Sequence, residues 1–247
     1  SLAAAGYGKD KAIFAYGYTG SSNTSLSNLV SSSGVIASDV TGVGTARHNV
    51  SAAGYGSDKA IFAYGRPNGN VSMSNLVTNV GVVGSDVSGV GTARRALAAT
   101  GYGSDKAIFG YGFTDTQVSM SNLVSNSGVV GSDVSGVGTA RQSLAAATYG
   151  GDKAIFGFGT TGSVTGVTNL VSNSGVIASD VSAVGSARSS IAAAAFGGDK
   201  AIFGYGTTGS PTAISNLVSN SGVVASDVSG VGTVRSDLGA AGFSATA

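Results

Sequence analysis

Aspartate and arginine are the residues of this chain that could carry out chemistry, and one set of each recurs every 47 residues. Carboxylates at regular intervals can hold an ion or sugar hydroxyls, and a pair of them can cleave a glycosidic bond. The alternative is that Arg and Asp tie neighbouring units together by charge-assisted hydrogen bonds. We favour this structural ring, because no Asp differs from its copies. Its members are Arg47, Arg94, Arg141, Arg188, Arg235, Asp39, Asp86, Asp133, Asp180 and Asp227.

Two other motifs that suggest chemistry fail on inspection. Residues 157–162 and 204–209 fit the G-x-G-x-x-G pattern, but a dinucleotide site needs a helix after the motif, and here another strand follows. His48 is the single histidine, and a catalytic or metal-binding histidine needs partners that this chain hardly has. There is no Cys. The sequence therefore predicts no catalytic residue, no metal site and no cofactor.

The 47-residue spacing divides the chain into five units and a short remainder. The units are residues 1–47, 48–94, 95–141, 142–188 and 189–235, and residues 236–247 remain. Each unit reads as four short strands separated by Gly, Ser, Asn and Asp. In the third unit these strands are residues 96–102, 106–111, 121–126 and 129–134. A four-stranded unit repeated at this length predicts an all-β, five-bladed β-propeller with four antiparallel strands per blade, in a single domain.

The remainder repeats the first, innermost strand of a unit, so the chain holds six copies of that strand. Residues 238–243 match residues 2–7. Five blades need five inner strands, and one copy is therefore surplus. It either overlaps the other end of the chain to latch the ring, lies outside the ring, or pairs with another molecule. The sequence leaves these alternatives open.

Charge and hydropathy exclude two classes of partner. The formal net charge is +1, and the 13 basic and 12 acidic residues are spread evenly, so no basic stripe favours nucleic acid. No apolar run is long enough to insert into a membrane. We expect a protein partner or a cell-surface glycan, and oligomerisation through the surplus strand is one further possibility.

The sequence also resembles known repeats. Thr139-Ala140-Arg141, an Ala-rich strand and a second strand that ends in Gly resemble the kelch repeat, although the kelch Gly pair and Trp are missing. The near-identical Asn-Leu-Val-Ser-Asn-Ser-Gly-Val-Val and Gly-Val-Gly-Thr-Ala-Arg stretches resemble repeat regions of marine bacteriophage tail and fibre proteins. That resemblance covers essentially the whole chain. It implies a virion-associated or extracellular protein with a receptor-facing or structural role, and it supplies no catalytic residues.

The copies differ most in the loop after the second strand and in the connection between units. In an up-and-down meander both segments emerge on the same side, which predicts a contact face. Its residues are Tyr18, Asn23, His48, Arg66, Asn68, Arg95, Phe113, Asp115, Gln142, Thr160 and Thr207. We therefore expect a non-enzymatic structural or binding module. A multivalent lectin is the alternative, and a designed or reconstructed repeat protein without natural function is the second alternative.

Overall fold

The computed structural model describes residues 2–242, and in these residues it contains only strands, turns and irregular segments. Fifteen strands form five antiparallel sheets of three, one sheet in each sequence unit. Sheet 1 contains β1 (Ala3–Tyr7), β2 (Lys11–Tyr18) and β3 (Asn23–Val30); sheet 2 contains β4 (Ser51–Tyr55), β5 (Lys59–Ala63) and β6 (Ser74–Val77); sheet 3 contains β7 (Ala98–Tyr102), β8 (Lys106–Gly110) and β9 (Ser121–Val124); sheet 4 contains β10 (Ala145–Tyr149), β11 (Lys153–Gly157) and β12 (Thr168–Val171); sheet 5 contains β13 (Ala192–Phe196), β14 (Lys200–Gly204) and β15 (Ser215–Val218). The all-β prediction is confirmed.

A tight turn sets the register of each hairpin. In sheet 3, Gly103 and Ser104 adopt φ values of 58° and 69° between β7 and β8. Positive φ at these two positions of the three-residue loop 103–105 favours Gly and small polar residues. Tyr102 thereby pairs with Lys106, and Ala98 pairs with Gly110. The hairpin turn predicted at residues 103–105 is confirmed.

The predicted fourth strand is present only as a loosely attached segment. In sheet 3 it is joined to β9 by two isolated bridges, Ser121 with Val134 and Val124 with Val130. Between them the side chain of Asn122 donates to the carbonyl oxygen of Gly131 at 3.0 Å. A side-chain donor thus replaces a main-chain donor of a regular ladder. The sheets consequently have three strands rather than four.

The cores lie between consecutive sheets. Four clusters of buried residues fill the contacts of sheet 1 with 2, 2 with 3, 3 with 4 and 4 with 5. Each contact contains a tilted or edge-to-face aromatic pair, such as Tyr111 of sheet 3 and Phe156 of sheet 4, whose ring centroids are 5.3 Å apart. Phe62, Phe109, Phe156 and Phe203 are all fully buried. Each sheet hides its apolar faces against its neighbours, because a lone three-stranded sheet has nothing to cover both of them.

The innermost strands of all five sheets line one central cavity of about 550 Å³. These strands contribute mainly Ala, Gly and Thr to its wall. Charged residues beside the hairpin turns, such as Lys9, Asp10 and Lys59, and the apolar Phe14, Val30 and Ile36 also line it. Residues 239–242, from the surplus copy, also line this cavity. A side chain placed at Gly239 would meet Leu2 and Ala4, and one at Gly242 would meet the main chain of Ala195. The surplus segment therefore lies against both β1 and β13.

Candidate functional site

The recurring arginines are held rigidly between the sheets. Arg141 is fully buried, and its Nε donates to the carbonyl oxygen of Phe158 in sheet 4 at 2.9 Å. Its Nη2 donates to Asn169 Oδ1 at 2.8 Å, and its Nη1 to the Thr139 carbonyl at 3.0 Å. The guanidinium also lies 4.1 Å from the ring centroid of Tyr111 in sheet 3. Arg141 therefore binds the main chain of one sheet and stacks on an aromatic ring of the sheet before it.

The acceptor carbonyl is positioned by an unusual backbone conformation. Phe158 directly follows β11 and has a φ of 62°, a value that bulky residues rarely adopt. Tyr16, Tyr64, Tyr111 and Tyr205 occupy the same place in the other sheets with φ values of 60–64°. In sheets 2 to 5 the carbonyl of this residue accepts from the buried arginine of the preceding unit. The strained residue is thus held by a charge-assisted hydrogen bond where one is available.

The fifth arginine has a different environment. The guanidinium of Arg235 lies 4.2 Å from the ring centroid of Tyr205, and the Arg235 carbonyl accepts from the Gly206 amide. The backbone of Arg235 is therefore placed much as in the other units. Its side chain, however, is exposed, and within residues 2–242 it donates only to the Thr233 carbonyl, at 3.4 Å. The predicted ring thus comprises four buried arginines and one that reaches no following sheet.

Four of the five recurring aspartates accept hydrogen bonds from the unit before them. Asp180 accepts from the amide and hydroxyl of Thr139, across the contact between sheets, and from Asn169 Nδ2 at 2.9 Å. Asp86, Asp133 and Asp227 repeat this pattern. Each also lies 3.7–3.9 Å from the Nη1 of a buried arginine, which is Arg47, Arg94 and Arg188 respectively. Asp39 differs, because among the described residues it accepts only from Asn28. In these four aspartates most of the carboxylate's hydrogen-bonding capacity is used within the protein.

These hydrogen bonds predict acid sensitivity. Partial burial raises the pKa of Asp133, but donation by Thr92 and Asn122 outweighs it, so the net pKa lies below the ordinary value. A carboxyl whose pKa is lower in the folded state stabilises the protein above the unfolded pKa and loses that effect as the pH falls through the folded value. We expect the free energy of unfolding to decrease below about pH 4.

Urea unfolding at several pH values measures this effect. Asp133→Asn should show a shallower pH dependence than the wild-type chain. A slope for Asp133→Asn equal to that of the wild-type chain would contradict the assignment.

The predicted contact residues lie at the opposite end of the sheets from the Gly103–Ser104 turns, and isolated bridges join the two variable segments directly. His48 bridges Arg66, Arg95 bridges Phe113, Gln142 bridges Thr160, and Ser189 bridges Thr207. In every case the first residue follows a recurring arginine and the second follows the second strand of the next unit. The predicted proximity of the two segments is therefore observed, and they form one rim, which we call the variable rim.

In sheets 1 and 2 the rim presents an aromatic and amide cluster. The rings of Tyr18 and His48 are 5.9 Å apart, and half of Tyr18 is exposed. His48 Nδ1 donates to Asn23 Oδ1 at 2.7 Å, and Asn23 Nδ2 donates to the Pro67 carbonyl at 2.7 Å. Burial, followed by the charge of Arg66, lowers the pKa of His48 below its ordinary value.

A second cluster follows between sheets 2 and 3. Arg95 lies 4.6 Å from the ring centroid of Phe113, and its Nη1 donates to Asn70 Oδ1 at 2.9 Å. Asn70 Nδ2 donates in turn to the Thr114 carbonyl at 2.8 Å. Burial and the charge of Arg66 lower the pKa of Arg95, and the charge of Asp115 raises it. The net effect is a lowered pKa. Arg66 Nε donates to the carbonyl of the exposed Asn68 at 3.3 Å. The two clusters thus form one continuous surface.

Gln142, Thr160 and Thr207 belong to the same rim, but no aromatic or charged rim partner accompanies them in the described residues. Sequence reasoning missed two roles. Asn169 and its copies recur every 47 residues, which could have revealed them as partners of the arginines. Asn70 carries no such signal, because its role depends on Arg95, which is peculiar to one unit.

Residues 2–242 contain no group of three His, Asp or Glu side chains placed to hold a metal, and no helix long and apolar enough to cross a bilayer. No protein-family model matches the chain, and a comparison with curated proteins finds no relative.

Proposed function

We propose that this protein is a non-enzymatic binding scaffold of the β-propeller type, in which each unit is one of five blades. The loosely bridged segment, such as residues 130–134, serves as the fourth strand of its blade. Four repeated contacts between sheets and a shared central cavity support this arrangement. The variable rim is the binding face.

The observation that carries the proposal is the contrast between the interior and the rim. In the four contacts between consecutive sheets, the recurring Arg, Asn and Asp side chains form the same set of hydrogen bonds. The rim of sheets 1 to 3 instead gathers Tyr18, His48, Arg66, Arg95 and Phe113 into one surface with no counterpart in sheets 4 and 5. Arginine and aromatic residues are the types that most often dominate binding.

The partner we propose is a protein or glycan on a cell surface. The resemblance to phage tail and fibre repeats favours a virion or extracellular setting and a receptor-facing or structural role. A reconstructed or designed chain without natural function stays as an alternative, supported by the near identity of the units.

A lectin is the second candidate, and the Tyr18 cluster is the observation that favours it. The half-exposed ring of Tyr18 offers an apolar surface for a sugar face. Because the Tyr18 and Phe113 clusters adjoin, an extended glycan would contact both and gain affinity from the second contact.

Binding of the labelled chain to a glycan array and to intact bacterial cells tests these proposals. We expect Tyr18→Ala and Phe113→Ala each to weaken binding at least about tenfold. Asn126→Ala, on the opposite end of the sheets, should bind as the wild-type chain does. Glycan-array binding selects the lectin, and cell binding without a glycan signal selects a protein partner. Absence of both, or binding that the rim variants do not change, would contradict the proposal.

A further inference from the structure

The sector between sheet 5 and sheet 1 lacks the contact that every other pair of consecutive sheets makes. On the side of sheet 5 that faces this sector, Phe196 is 38% exposed, whereas its copies Tyr7, Tyr55, Tyr102 and Tyr149 are at most 4% exposed. Leu217 is 42% exposed, and Arg235 is exposed as well. These residues correspond to those that cover the next sheet in units 1 to 4.

The facing side of sheet 1 lacks the matching contacts. Phe14 is half-buried, whereas its four copies are fully buried. A side chain at Gly34 would meet nothing, whereas its copy Gly128 lies against Tyr55 and Leu76 of the preceding sheet. Asp39 accepts no bond from another unit in the described part of the chain, and Asn28 Oδ1 accepts none from an arginine. On both sides of the sector, residues therefore lack the packing and the hydrogen-bond partners that their copies have in the other units.

The inner end of the sector is already occupied. Residues 239–242 continue the series of inner segments. The segment before them is attached by the hydrogen bond that recurs in earlier units: the Asp237 amide donates to the Ser190 carbonyl, the Ser190 amide to the Ser143 carbonyl, and the Ser143 amide to the Ala96 carbonyl. Each of the other five inner strands pairs with a Lys-Ala-Ile-Phe strand on its outer side. Residues 239–242 pair with no such strand within residues 2–242. Among the described residues, the sector thus has an irregular inner segment and no strand outside it.

We propose that this open sector is a docking site for a second polypeptide that supplies the second and third strands of the same repeat. The four internal contacts give its register. The incoming Phe would pack on Tyr205, as Phe156 packs on Tyr111, and the carbonyl two residues later would accept from Arg235 Nε. The incoming Asn would accept from Arg235 Nη2, and the incoming Asp would accept from Thr233.

Hydrogen-bond and shape complementarity single out this occupant. An apolar peptide would cover Phe196 and Leu217 but would bury the Arg235 guanidinium without acceptors, which is costly. A polar peptide would leave the apolar walls exposed. A strand apolar on both faces, followed by the Asn and Asp of the repeat, satisfies both walls at once. Addition of a strand to an available edge is a common way of recognising an extended peptide.

A synthetic peptide with the sequence of residues 152–180 is the probe. It carries Phe156, the Phe158 carbonyl, Asn169 and Asp180, which are the four partners that the site requires. Fluorescence anisotropy of the labelled peptide, titrated with the full chain, should show saturable binding at one site. Arg235→Ala in the chain, or Phe156→Ala in the peptide, should each weaken binding at least about tenfold.

Two controls make the result specific. Arg66→Ala, on the variable rim, should leave peptide affinity unchanged, so that failure of the proposed rim function does not affect this test. A peptide of the same composition in scrambled order should not bind. Absence of binding by the native peptide, or binding that neither Arg235→Ala nor Phe156→Ala weakens, would overturn the proposal.

Discussion

Replacing Arg141 with alanine is expected to lower the free energy of unfolding by about 3–5 kcal/mol. The substitution leaves the Phe158 carbonyl and Asn169 Oδ1 buried without their donor and removes the cation over the Tyr111 ring. It also weakens the bond that holds Phe158 at positive φ. Urea unfolding followed by circular dichroism measures the loss.

Arg235→Ala is the matched control, since it changes the same residue of the repeat at a place where the side chain is exposed. We expect a loss below about 1 kcal/mol, as for other surface positions. Similar losses for the two variants would contradict the difference between a buried contact and an open sector.

Replacing Phe109 with alanine is expected to cost about 3–5 kcal/mol. Phe109 is fully buried, and its ring centroid lies 5.4 Å from that of Tyr64 in the preceding sheet. The substitution removes apolar contact from both sheets and leaves a cavity that the rigid strands around it fill poorly. A loss below about 1 kcal/mol in urea unfolding would contradict the packing of sheet against sheet.

Phe14→Ala provides the matched comparison, because Phe14 has the same sequence surroundings but is half-buried at the open sector. We expect a smaller loss than for Phe109→Ala. A loss as large as that of Phe109→Ala would mean that sheet 1 is covered in solution by another sheet.

The repeat made much of this structure predictable. Strong periodicity, Gly-Ser-Asp turns and strands apolar on both faces specify five stacked antiparallel units, since only neighbouring sheets can cover both faces of the Phe109 strand. The fourth strand was predicted as regular, at residues 129–134 in the third unit. Its ladder fails because the Asn122 side chain takes the place of a main-chain donor, a competition that strand propensity does not register.

The environment of the arginines was only partly predictable. Their even spacing indicated a structural role, but the predicted link was to Asp, whereas the short bonds run to a carbonyl and to Asn. The spacing also treated Arg235 and Asp39 as equivalent to their copies. Equivalence in sequence does not give equivalence in contacts, because within the described residues sheets 5 and 1 lack the contact that every other pair of consecutive sheets makes.

Exchange of the arginine side-chain Nε protons, followed by NMR on ¹⁵N-arginine-labelled protein in D₂O, tests the central claim most directly. A buried, hydrogen-bonded Nε–H exchanges slowly, and an exposed one exchanges fast. We predict slow exchange for Arg47, Arg94, Arg141 and Arg188, and fast exchange for Arg235. Slow exchange at all five arginines would show a closed ring in which Arg235 binds the main chain of sheet 1, and fast exchange at all five would show that the buried contacts do not form.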